Sequence, residues 1–490
     1  MKNRTPFLPG ISHLLNGRQS RCESDRMREH AERLRRASLF RLCQIFGRWL
    51  PADLLAGQPG SRHRCYPLSL TFWAFLSQVL NPGSPCREIV RKVQFWHRRR
   101  KHPMPSSATG AYCQARARLP LEKLQQAHQS LADHLDAGAD SGDAFAGHRL
   151  RVIDGTGLSM PDTPANQKQW PQPSTQKPGC GFPVIKLVAI FCLRTGALLR
   201  WAQGTLHEHE NRLFKQLYQF FLPGDIVVAD RGFSGFGQFA ELITREVEML
   251  ARIHQRRKVD WRKGKVLGRR DRLVQWQRPY RQGDLFSAVQ WAEFPATIWL
   301  RQLELDFDVP GFRTRKIVVV TTLMDPERYP ADELARLYLR RWKVEVFYRD
   351  IKQTMAMDIL RCQTPAMINR EIHLHTIGYN LVRALMNDIA QRFEVDVARR
   401  SFKGTLDALR QWGPAALDAP NLSPRVAADE RDALYETIVD DQLPDRPWRS
   451  EPRAVKRRPK NYRLMTKPRR KMIVENSRKA SQKPANSRLN

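Results

Sequence analysis

The chain has 490 residues, enough for several domains, and an apolar content that is ordinary for a globular protein. Its 83 Lys and Arg against 49 Asp and Glu give a formal net charge of +34, which indicates a polyanionic partner, nucleic acid before an anionic membrane. A solvated basic surface is the alternative. No stretch approaches about 18 consecutive apolar residues, no secretory signal is visible, and the eight cysteines show no CxxC spacing. We therefore expect a cytoplasmic, nucleoid-associated protein without a membrane span or a disulfide framework.

Residues 1–145 predict a helical DNA-binding domain. Apolar residues recur at helical spacing, with basic residues between them, in the segments 22–50, 70–81 and 86–102. The last of these helices ends in a basic cluster, which precedes a further short helix.

That further helix has Ser106 or Ser107 as its predicted N-cap and Pro120 as its end. Two short helices around a basic turn resemble a helix-turn-helix, and a plain helical bundle is the alternative. In the first case, four side chains would face a DNA groove: Tyr112, Gln114, Arg116 and Arg118.

Strand signals begin after an Asp-, Gly- and Ala-rich stretch, 133–148, which predicts a linker. The segment "HRLRVIDGTGL" predicts a first strand that ends at Asp154. The segments "FPVIKLVAIFCL" and "LLRWAQGTL" predict a β-hairpin around the turn "RTGA". A helix then leads to a buried strand over 226–229 that ends at Asp230, and a helix and a strand follow. We assign 146–254 to the first part of a catalytic core.

The segment 255–325 is rich in basic turns, tryptophans and alternating apolar residues, which predicts an antiparallel β insertion. A long helix over 331–356 and a later helix over 368–393 belong to a segment, 326–400, that we expect to complete the core. The predicted C-terminal regions are a helical or linker region, 401–445, and a basic tail, 446–490. With its prolines and few apolar residues, the tail is expected to be disordered and to bind phosphates without sequence preference, unless it serves only solubility.

Three acids stand out because of their context. Asp154 and Asp230 each follow an apolar strand and precede a glycine-containing segment, and Glu345 lies on the predicted long helix. The order strand, hairpin, helix, strand, helix, strand, insertion, helix matches an RNase H-like layout. We therefore predict an α/β fold with an RNase H-like catalytic core and an antiparallel β insertion, preceded by a helical domain and followed by helices and a basic tail.

Three converging carboxylates predict a metal site, because their charges would repel strongly without a cation. Phosphodiester chemistry uses two divalent ions about 3.5–4 Å apart. Hard oxygen ligands suit Mg²⁺, and we expect Mn²⁺ to substitute for it. The expected cofactor is a pair of Mg²⁺ ions held by Asp154, Asp230 and Glu345.

The stretch "LYLRRWKVEVFYRDIK" carries Glu345 beside basic residues. With about 100° per residue, Tyr338, Arg341, Glu345 and Lys352 lie within roughly 60° of one another on a continuous helix. This stripe predicts that Glu345 binds metal while Arg341 and Lys352 hold DNA phosphates. Tyr338 is expected either to contact the DNA backbone or to orient Arg341. Ordinary surface pairing between Arg341 and Glu345 is the alternative, and it leaves Lys352 unexplained.

These residues resemble the DDE transposases of bacterial insertion sequences, in the branch with the signature Y-x2-R-x3-E-x6-K (the insertion sequence 4 family). The signature is complete in Tyr338, Arg341, Glu345 and Lys352, and "VIDGTGLSMPD" and "VVADRGFSG" look like the two aspartate motifs. The resemblance extends over nearly the whole chain.

The resemblance implies a transposase that binds the terminal inverted repeats of its own element, cleaves DNA with the help of metal ions and transfers the freed strand into target DNA. Its partners would be double-stranded DNA and a second copy of the chain in a synaptic complex. In relatives, a flipped base stacks on aromatic residues of the insertion, for which Trp261 and Trp276 are the candidates; packing within the insertion is the alternative for both.

Two further histidine motifs are less telling. The run "HEHE" at 207–210 lacks HExxH spacing, and we expect it to form a turn at a helix start, close to the active-site rim. The run "HLH" at 373–375 is expected to lie in the core or on a helix face. A nuclease that does not transfer strands, or a non-catalytic DNA-binding descendant of a transposase, are the alternative functions.

Overall fold

The computed structural model describes the chain from residue 42 to residue 475 with gaps. The described residues are 42–43, 45–51, 65–99, 101–138, 145–281, 283–306, 316–415, 424–444, 467–468 and 471–475. Most of the predicted helix over 22–50 and most of the predicted basic tail therefore lie outside the described residues.

Within the described residues, the structure has both helices and strands. In chain order, the α-helices are α1 (Leu68–Leu80), α2 (Cys86–Arg99), α3 (Gly110–Ala117), α4 (Leu121–Ala137), α5 (Pro164–Gln169), α6 (Glu210–Leu217), α7 (Phe236–Thr244), α8 (Ala288–Glu293), α9 (Ala331–Arg340), α10 (Lys343–Arg349), α11 (Pro365–Arg392), α12 (Phe402–Ala415) and α13 (Pro424–Asp440). The strands are β1 (Leu150–Ser159), β2 (Val184–Cys192), β3 (Leu198–Thr205), β4 (Ile226–Ala229), β5 (Glu248–Arg252), β6 (Lys265–Gly268), β7 (Asp271–Gln277), β8 (Thr297–Asp306) and β9 (Lys316–Thr321). The described helices include none that is both long and apolar enough to cross a membrane.

The chain divides into two compact units. Among the described residues, one comprises those within 1–131 and 380–443, and the other comprises those within 132–379 and 444–490. The predicted domain boundaries stay predictions. The predicted linker over 133–148 is wrong at its start, since α4 continues to Ala137.

The first unit has a helical core that follows from its sequence pattern. Nearly all of α1 is buried, as expected for a helix that is apolar all round. It packs with α2 and α3 in a cluster that contains Leu70, Ile89, Val93 and Tyr112. The predicted N-cap at Ser106 or Ser107 is wrong: Thr109 precedes α3, and its side chain makes no capping bond.

The second unit is built on a nine-stranded mixed sheet with the order β3-β2-β1-β4-β5-β9-β8-β7-β6. Strands β1, β4 and β5 run parallel to one another, and the other pairings are antiparallel. The predicted β2–β3 hairpin, the buried strand at 226–229 and the antiparallel character of the insertion are confirmed. The insertion does not form a separate sheet, because β9 pairs with both β5 and β8 and so extends the sheet that contains β1.

Strand β1 is fixed at its start by a buried arginine. The guanidinium of Arg151 forms ion pairs with Asp136 and Asp225, and all three side chains are largely inaccessible to solvent. Because removal of one partner would leave a buried charge unpaired, this cluster holds the beginning of β1 in place.

The predicted continuous helix over 331–356 is wrong. Helix α9 ends at Arg340, α10 begins at Lys343, and a π-helix over Asp350–Thr354 follows. At the junction, Arg341 and Trp342 donate backbone hydrogen bonds to residues three positions earlier, Tyr338 and Leu339, which tightens the turn. A tight turn followed by a wide one removes the uniform spacing of about 100° on which the predicted stripe depended.

Candidate active site

Asp154 and Asp230 are brought together by the register of β1 and β4. These parallel strands are neighbours, and Val152 of β1 pairs with Val228 of β4. Asp154 and Asp230 each stand two residues beyond that pair. Because side chains alternate along extended chains and neighbouring strands are about 4.8 Å apart, both carboxylates lie on the same face at the same edge of the parallel ladder.

Asp154 does not end its strand, contrary to the prediction. Its parallel pairing with β4 has already stopped, but its antiparallel pairing with β2 continues from Ala189 to Val184. Asp230 does follow the end of β4, and it precedes a short 3₁₀ turn, Arg231–Phe233.

Glu210 is an acid of this site that the sequence did not identify as such. A Cβ atom built on Gly155 would lie 2.6 Å from Glu210 Oε1, so the carboxylate rests directly against the glycine that follows Asp154. Glu210 begins α6, where His209 forms the N-cap. It belongs to the "HEHE" run, which was expected near the rim, and its position at a helix start was the available signal.

Burial raises the pKa of Asp154 to about 6, from an ordinary value of 3.8. The backbone N–H of Gly155, 2.8 Å from Asp154 Oδ1, and the guanidinium of Arg341 oppose this rise. The nearby carboxylates of Glu210 and Asp230 add to it. The groups around Asp154 therefore do not balance the negative charge of its ionised form, as expected for a carboxylate that serves as a cation ligand.

Arg341 is the cation that faces these carboxylates. It is only 7% exposed, and its Nη2 lies 3.7 Å from Glu345 Oε1. Its guanidinium lies 5.8 Å from the centre of the Tyr338 ring, and burial, above all, raises the pKa of that tyrosine to about 12. Its Nε is buried and has no hydrogen-bond acceptor among the described residues, so the guanidinium retains a donor that is not used within this part of the chain.

Two hydrogen bonds connect the segment that carries Glu345 to strand β1. The hydroxyl of Tyr348 donates to the carbonyl oxygen of Asp154 over 2.7 Å, and Lys352 Nζ donates to Thr156 Oγ1 over 3.0 Å. Lys352 therefore reaches the strand of Asp154 from the π-helix that follows α10.

The four residues of the predicted stripe do not share one exposed face. Tyr338 and Arg341 point inward, whereas the side chain of Glu345 is 51% exposed. Within the described part of the chain, no group of three His, Cys, Asp or Glu side chains stands close enough to hold a metal ion. The structure thus places Asp154 and Asp230 at one edge, with Arg341 close to Asp154, but it does not bring Glu345 into a common set of ligands.

The donor set nevertheless suits a hard divalent cation. The acids at the edge offer only carboxylate oxygens as ligands. The ionised form of Asp154 is disfavoured by burial and by the neighbouring carboxylates, and a cation would stabilise it.

Of the candidate stacking residues, Trp276 lies in the core. It is 4% exposed, its ring is edge-on to Phe239 with centroids 5.6 Å apart, and the guanidinium of Arg257 lies 3.6 Å from its centroid. The expectation that it offers a free ring face is therefore wrong. Trp261 is partly exposed, and Trp299 is the more exposed tryptophan of the insertion, at 49%.

Of the four candidate groove-reading residues, two pack against other side chains and two are exposed. Tyr112 is fully buried, and both its hydroxyl and Arg116 Nη1 donate to Gln78 Oε1, over 3.0 and 3.3 Å. These two side chains pack within the first unit, which corrects the expectation that all four face a groove. Gln114 and Arg118 are exposed.

The histidines of "HLH" lie in the core, as expected. Burial lowers the pKa of His373, and it lowers that of His375 to about 3. Both rings are therefore neutral in the folded protein at neutral pH.

A family model and a relative found by the comparisons are both of transposases. A family model described as the DDE domain of transposases matches residues 145–381, a range that contains Asp154, Asp230 and Glu345. The transposase InsG for insertion sequence element IS4 of Escherichia coli (strain K12) is 27% identical over 414 residues, covering 82% of this chain and 88% of that protein. Among solved structures, the cryo-EM structure of a piggyBac transposase synaptic complex with hairpin DNA covers 82% of this chain and 85% of its own, with a TM-score of 0.41 and 8% identity.

Proposed function

We propose that the chain is a DDE transposase of the insertion-sequence type, which cuts DNA at the ends of its own element and joins those ends to target DNA. One observation carries the proposal. Asp154 and Asp230 each stand two residues beyond the Val152–Val228 pair of β1 and β4. The helical segment that carries Arg341, Glu345 and Lys352 is hydrogen-bonded to β1.

The topology supports an RNase H-like core. Strands β1 to β5 have the order β3-β2-β1-β4-β5, with a parallel trio and an antiparallel hairpin at one side. The antiparallel strands after β5 extend this sheet as the insertion. We retain the predicted assignment of the N-terminal helices to DNA binding, with α2 and α3 as the helices that precede and follow the basic turn.

Asp154, Asp230 and Glu345 are the residues that would hold the divalent ions, by our proposal Mg²⁺, with Mn²⁺ as a substitute. When bound, such ions would stabilise the charge that develops on the attacking and leaving oxygens of the phosphodiester. The burial of Asp154 supports this role, because the free energy cost of its ionised form is relieved by any cation placed beside it.

The basic residues have separate tasks in this proposal. Arg341, released from Glu345, would donate to a phosphate oxygen, and Tyr338 would keep its guanidinium aimed at the edge of the sheet. Lys352, already positioned by Thr156, would contact a phosphate on the other side of the scissile bond.

The partners follow from the same reasoning. The net charge of +34 favours double-stranded DNA, both the inverted repeats and the target. We further propose that two copies of the chain pair the two ends, and that the protein acts on the nucleoid in the cytoplasm.

Cleavage of a linear DNA that carries the element's ends, with Mg²⁺ or with a chelator, tests the proposal. The wild type is expected to cleave at the ends when Mg²⁺ is present and not when the chelator is present. Asp154→Asn, Asp230→Asn and Glu345→Gln should each abolish cleavage while a gel shift still shows DNA binding.

Strand transfer from pre-cleaved ends separates a transposase from a nuclease. We expect joined products with the wild type. Cleavage that persists in any of the three acid variants would contradict the catalytic assignment, and cleavage without joined products would contradict the assignment as a transposase.

A further inference from the structure

Helix α3 of the first unit presents one continuous exposed face. At about 100° per residue, its exposed residues fall within an arc of about 120°, and its buried residues lie outside that arc. The exposed residues are Gly110, Ala111, Gln114, Ala117 and, at the C-cap, Arg118. Gln114 and Arg118 are the long side chains of this face, and they stand one helical turn apart among small residues.

The opposite side of α3 is fixed within the first unit. Tyr112 is fully buried in the cluster that α3 forms with α1 and α2. Its hydroxyl and Nη1 of Arg116 both donate to Gln78 Oε1 of α1, over 3.0 and 3.3 Å. The segment before α3 is held as well, because Gln94 of α2 donates to the carbonyl oxygen of Pro105 over 2.9 Å. The orientation of α3 therefore does not depend on the side chains that it exposes.

The charge and size of the exposed side chains favour DNA as the partner of this face. Residues 101–120 contain no Asp or Glu, and Lys101 and His102 are exposed just before α3. Within the part of the chain that the structure describes, the side chains of Gln114 and Arg118 form no hydrogen bond or ion pair. The face also lacks the large apolar side chains that fill the centre of a protein–protein interface.

Glutamine and arginine are side chains that read base pairs in the major groove. A glutamine amide binds N6 and N7 of adenine, and an arginine guanidinium binds O6 and N7 of guanine. The groove admits an α-helix, and small residues on the helix face let the backbone approach the bases closely. Residues four positions apart on a helix are separated by about 6 Å along its axis, which corresponds to about two base pairs.

We propose that the exposed face of α3 enters the major groove at the ends of the element, where Gln114 reads an A·T pair and Arg118 reads a G·C pair about two base pairs away. This inference rests on the proposed function, because it takes the substrate to be duplex DNA with a defined end sequence. It adds the residues that recognise that sequence and the base pairs that they select.

The test is a selection of duplex DNA from a library with a randomised central segment, by the full-length protein in the presence of a chelator, followed by sequencing. The wild type should enrich a motif with an A·T and a G·C pair about two base pairs apart. Arg118→Ala should lose the preference for the G·C pair alone, by about 5- to 150-fold, and Gln114→Ala should lose that for the A·T pair alone. Arg118→Gln should change the preferred pair at its position from G·C to A·T, because glutamine reads adenine.

Arg87→Ala is the matched control, because Arg87 is an exposed arginine of the same unit that lies on α2. It should leave the enriched motif unchanged, and any loss of affinity should be the same for every sequence, as for a contact with phosphate. Thermal melting should show that all variants are as stable as the wild type, as expected for exposed side chains.

The inference would be overturned if both alanine variants kept the wild-type motif, if either lost every position of it equally, or if Arg87→Ala lost the same preferences. A wild type that enriches no motif would overturn it as well. Failure of the proposed function has a different signature: cleavage at the ends in Mg²⁺ would be absent, while the enriched motif would still change with Gln114 and Arg118.

Discussion

The acidic residues of the candidate site are held in two different ways. Asp154 and Asp230 are positioned by the sheet, where backbone ladders on both sides of β1 and β4 fix them relative to each other. Glu345 lies on a helix of seven residues between a tightened turn and a π-helix, and its side chain is half-exposed. The difference teaches that the sheet fixes the two aspartates relative to each other, whereas the half-exposed side chain of Glu345 can turn. In the proposed function, it would do so when metal and DNA bind.

The sharpest test of this contrast changes side-chain length on each side. Asp230→Glu moves a carboxylate by about one methylene on the rigid side, where a misplacement of about 1 Å can lower the rate about 100-fold. Glu345→Asp makes a change of the same size on the helical side, and we expect a loss of only about 10-fold because this half-exposed side chain can turn to compensate. Cleavage rates at saturating DNA measure both, with a gel shift as the control for binding. Equal losses would show that the two sides are equally rigid.

A second prediction concerns the cost of the rigid side without metal. Because the folded pKa of Asp154 is about 6 and its ordinary value is 3.8, folding favours the protonated form. The stabilising contribution of Asp154 in the metal-free protein should therefore be full below about pH 4 and be lost as the pH rises through about 6, by about 2–3 kcal/mol in total. Asp154→Asn removes this loss.

Denaturation by urea in the presence of a chelator measures that effect. Asp154→Asn should be more stable than the wild type at pH 8 and equally stable near pH 4. Added Mg²⁺ should stabilise the wild type but not Asp154→Asn. Asp332→Asn, which changes an exposed acid on α9, serves as the control. A constant difference between Asp154→Asn and the wild type across this pH range would contradict the prediction.

The connection between the two sides can be weakened directly. Tyr348→Phe removes the hydroxyl that donates to the carbonyl of Asp154 and should lower the free energy of unfolding by about 1 kcal/mol. Tyr379→Phe is a matched control, because the hydroxyl of Tyr379 also donates to a buried backbone carbonyl, that of Gly196. We expect similar stability losses from both, but a slower cleavage rate only from Tyr348→Phe. Similar cleavage rates in the two variants would argue that the bond to Asp154 is structural alone.

The smallest expected effect lies at Gly155. Gly155→Ala brings a methyl group against Glu210, whose flexible side chain can turn away, so the change in stability should be close to zero. In a Glu210→Ala background, the same substitution should stabilise the protein by about 0.5–1 kcal/mol, because alanine is favoured over glycine within a strand. A double-mutant cycle by urea denaturation measures the difference, and purely additive effects would mean that the two residues do not interact.

Much of the sheet was predictable from local sequence, and much of the helical side was not. The apolar run over 226–229 and the hairpin around "RTGA" are short-range signals, and they predicted β4 and the β2–β3 hairpin correctly. The junction at Arg341 and Trp342 has no such signal, because no proline or glycine interrupts the helical pattern there. It accompanies tertiary packing that places Tyr338 and Arg341 inside while Trp342 remains outside.

The site residues show the same limit. Asp154 and Asp230 were identifiable because each follows an apolar run and precedes a glycine-containing segment, although only the pairing of β1 with β2 shows that the strand continues past Asp154. Glu210 was missed as a neighbour of Asp154, since that contact depends on where α6 begins relative to β1. Trp276 and Tyr112 are of residue types that often bind nucleic acid, and only the structure shows that both are buried in the cores.

Asp154 and Asp230 each lie two residues beyond the Val152–Val228 pair. Their position side by side therefore depends on the number of residues between each valine and its aspartate more than on the identity of those residues. Insertion or deletion of one residue between Val152 and Asp154 would turn the carboxylate to the opposite side of the sheet, as any slip by one position does in a strand. The apolar residues that precede each aspartate can be exchanged for others of similar shape, but the count of residues that leads to it cannot change.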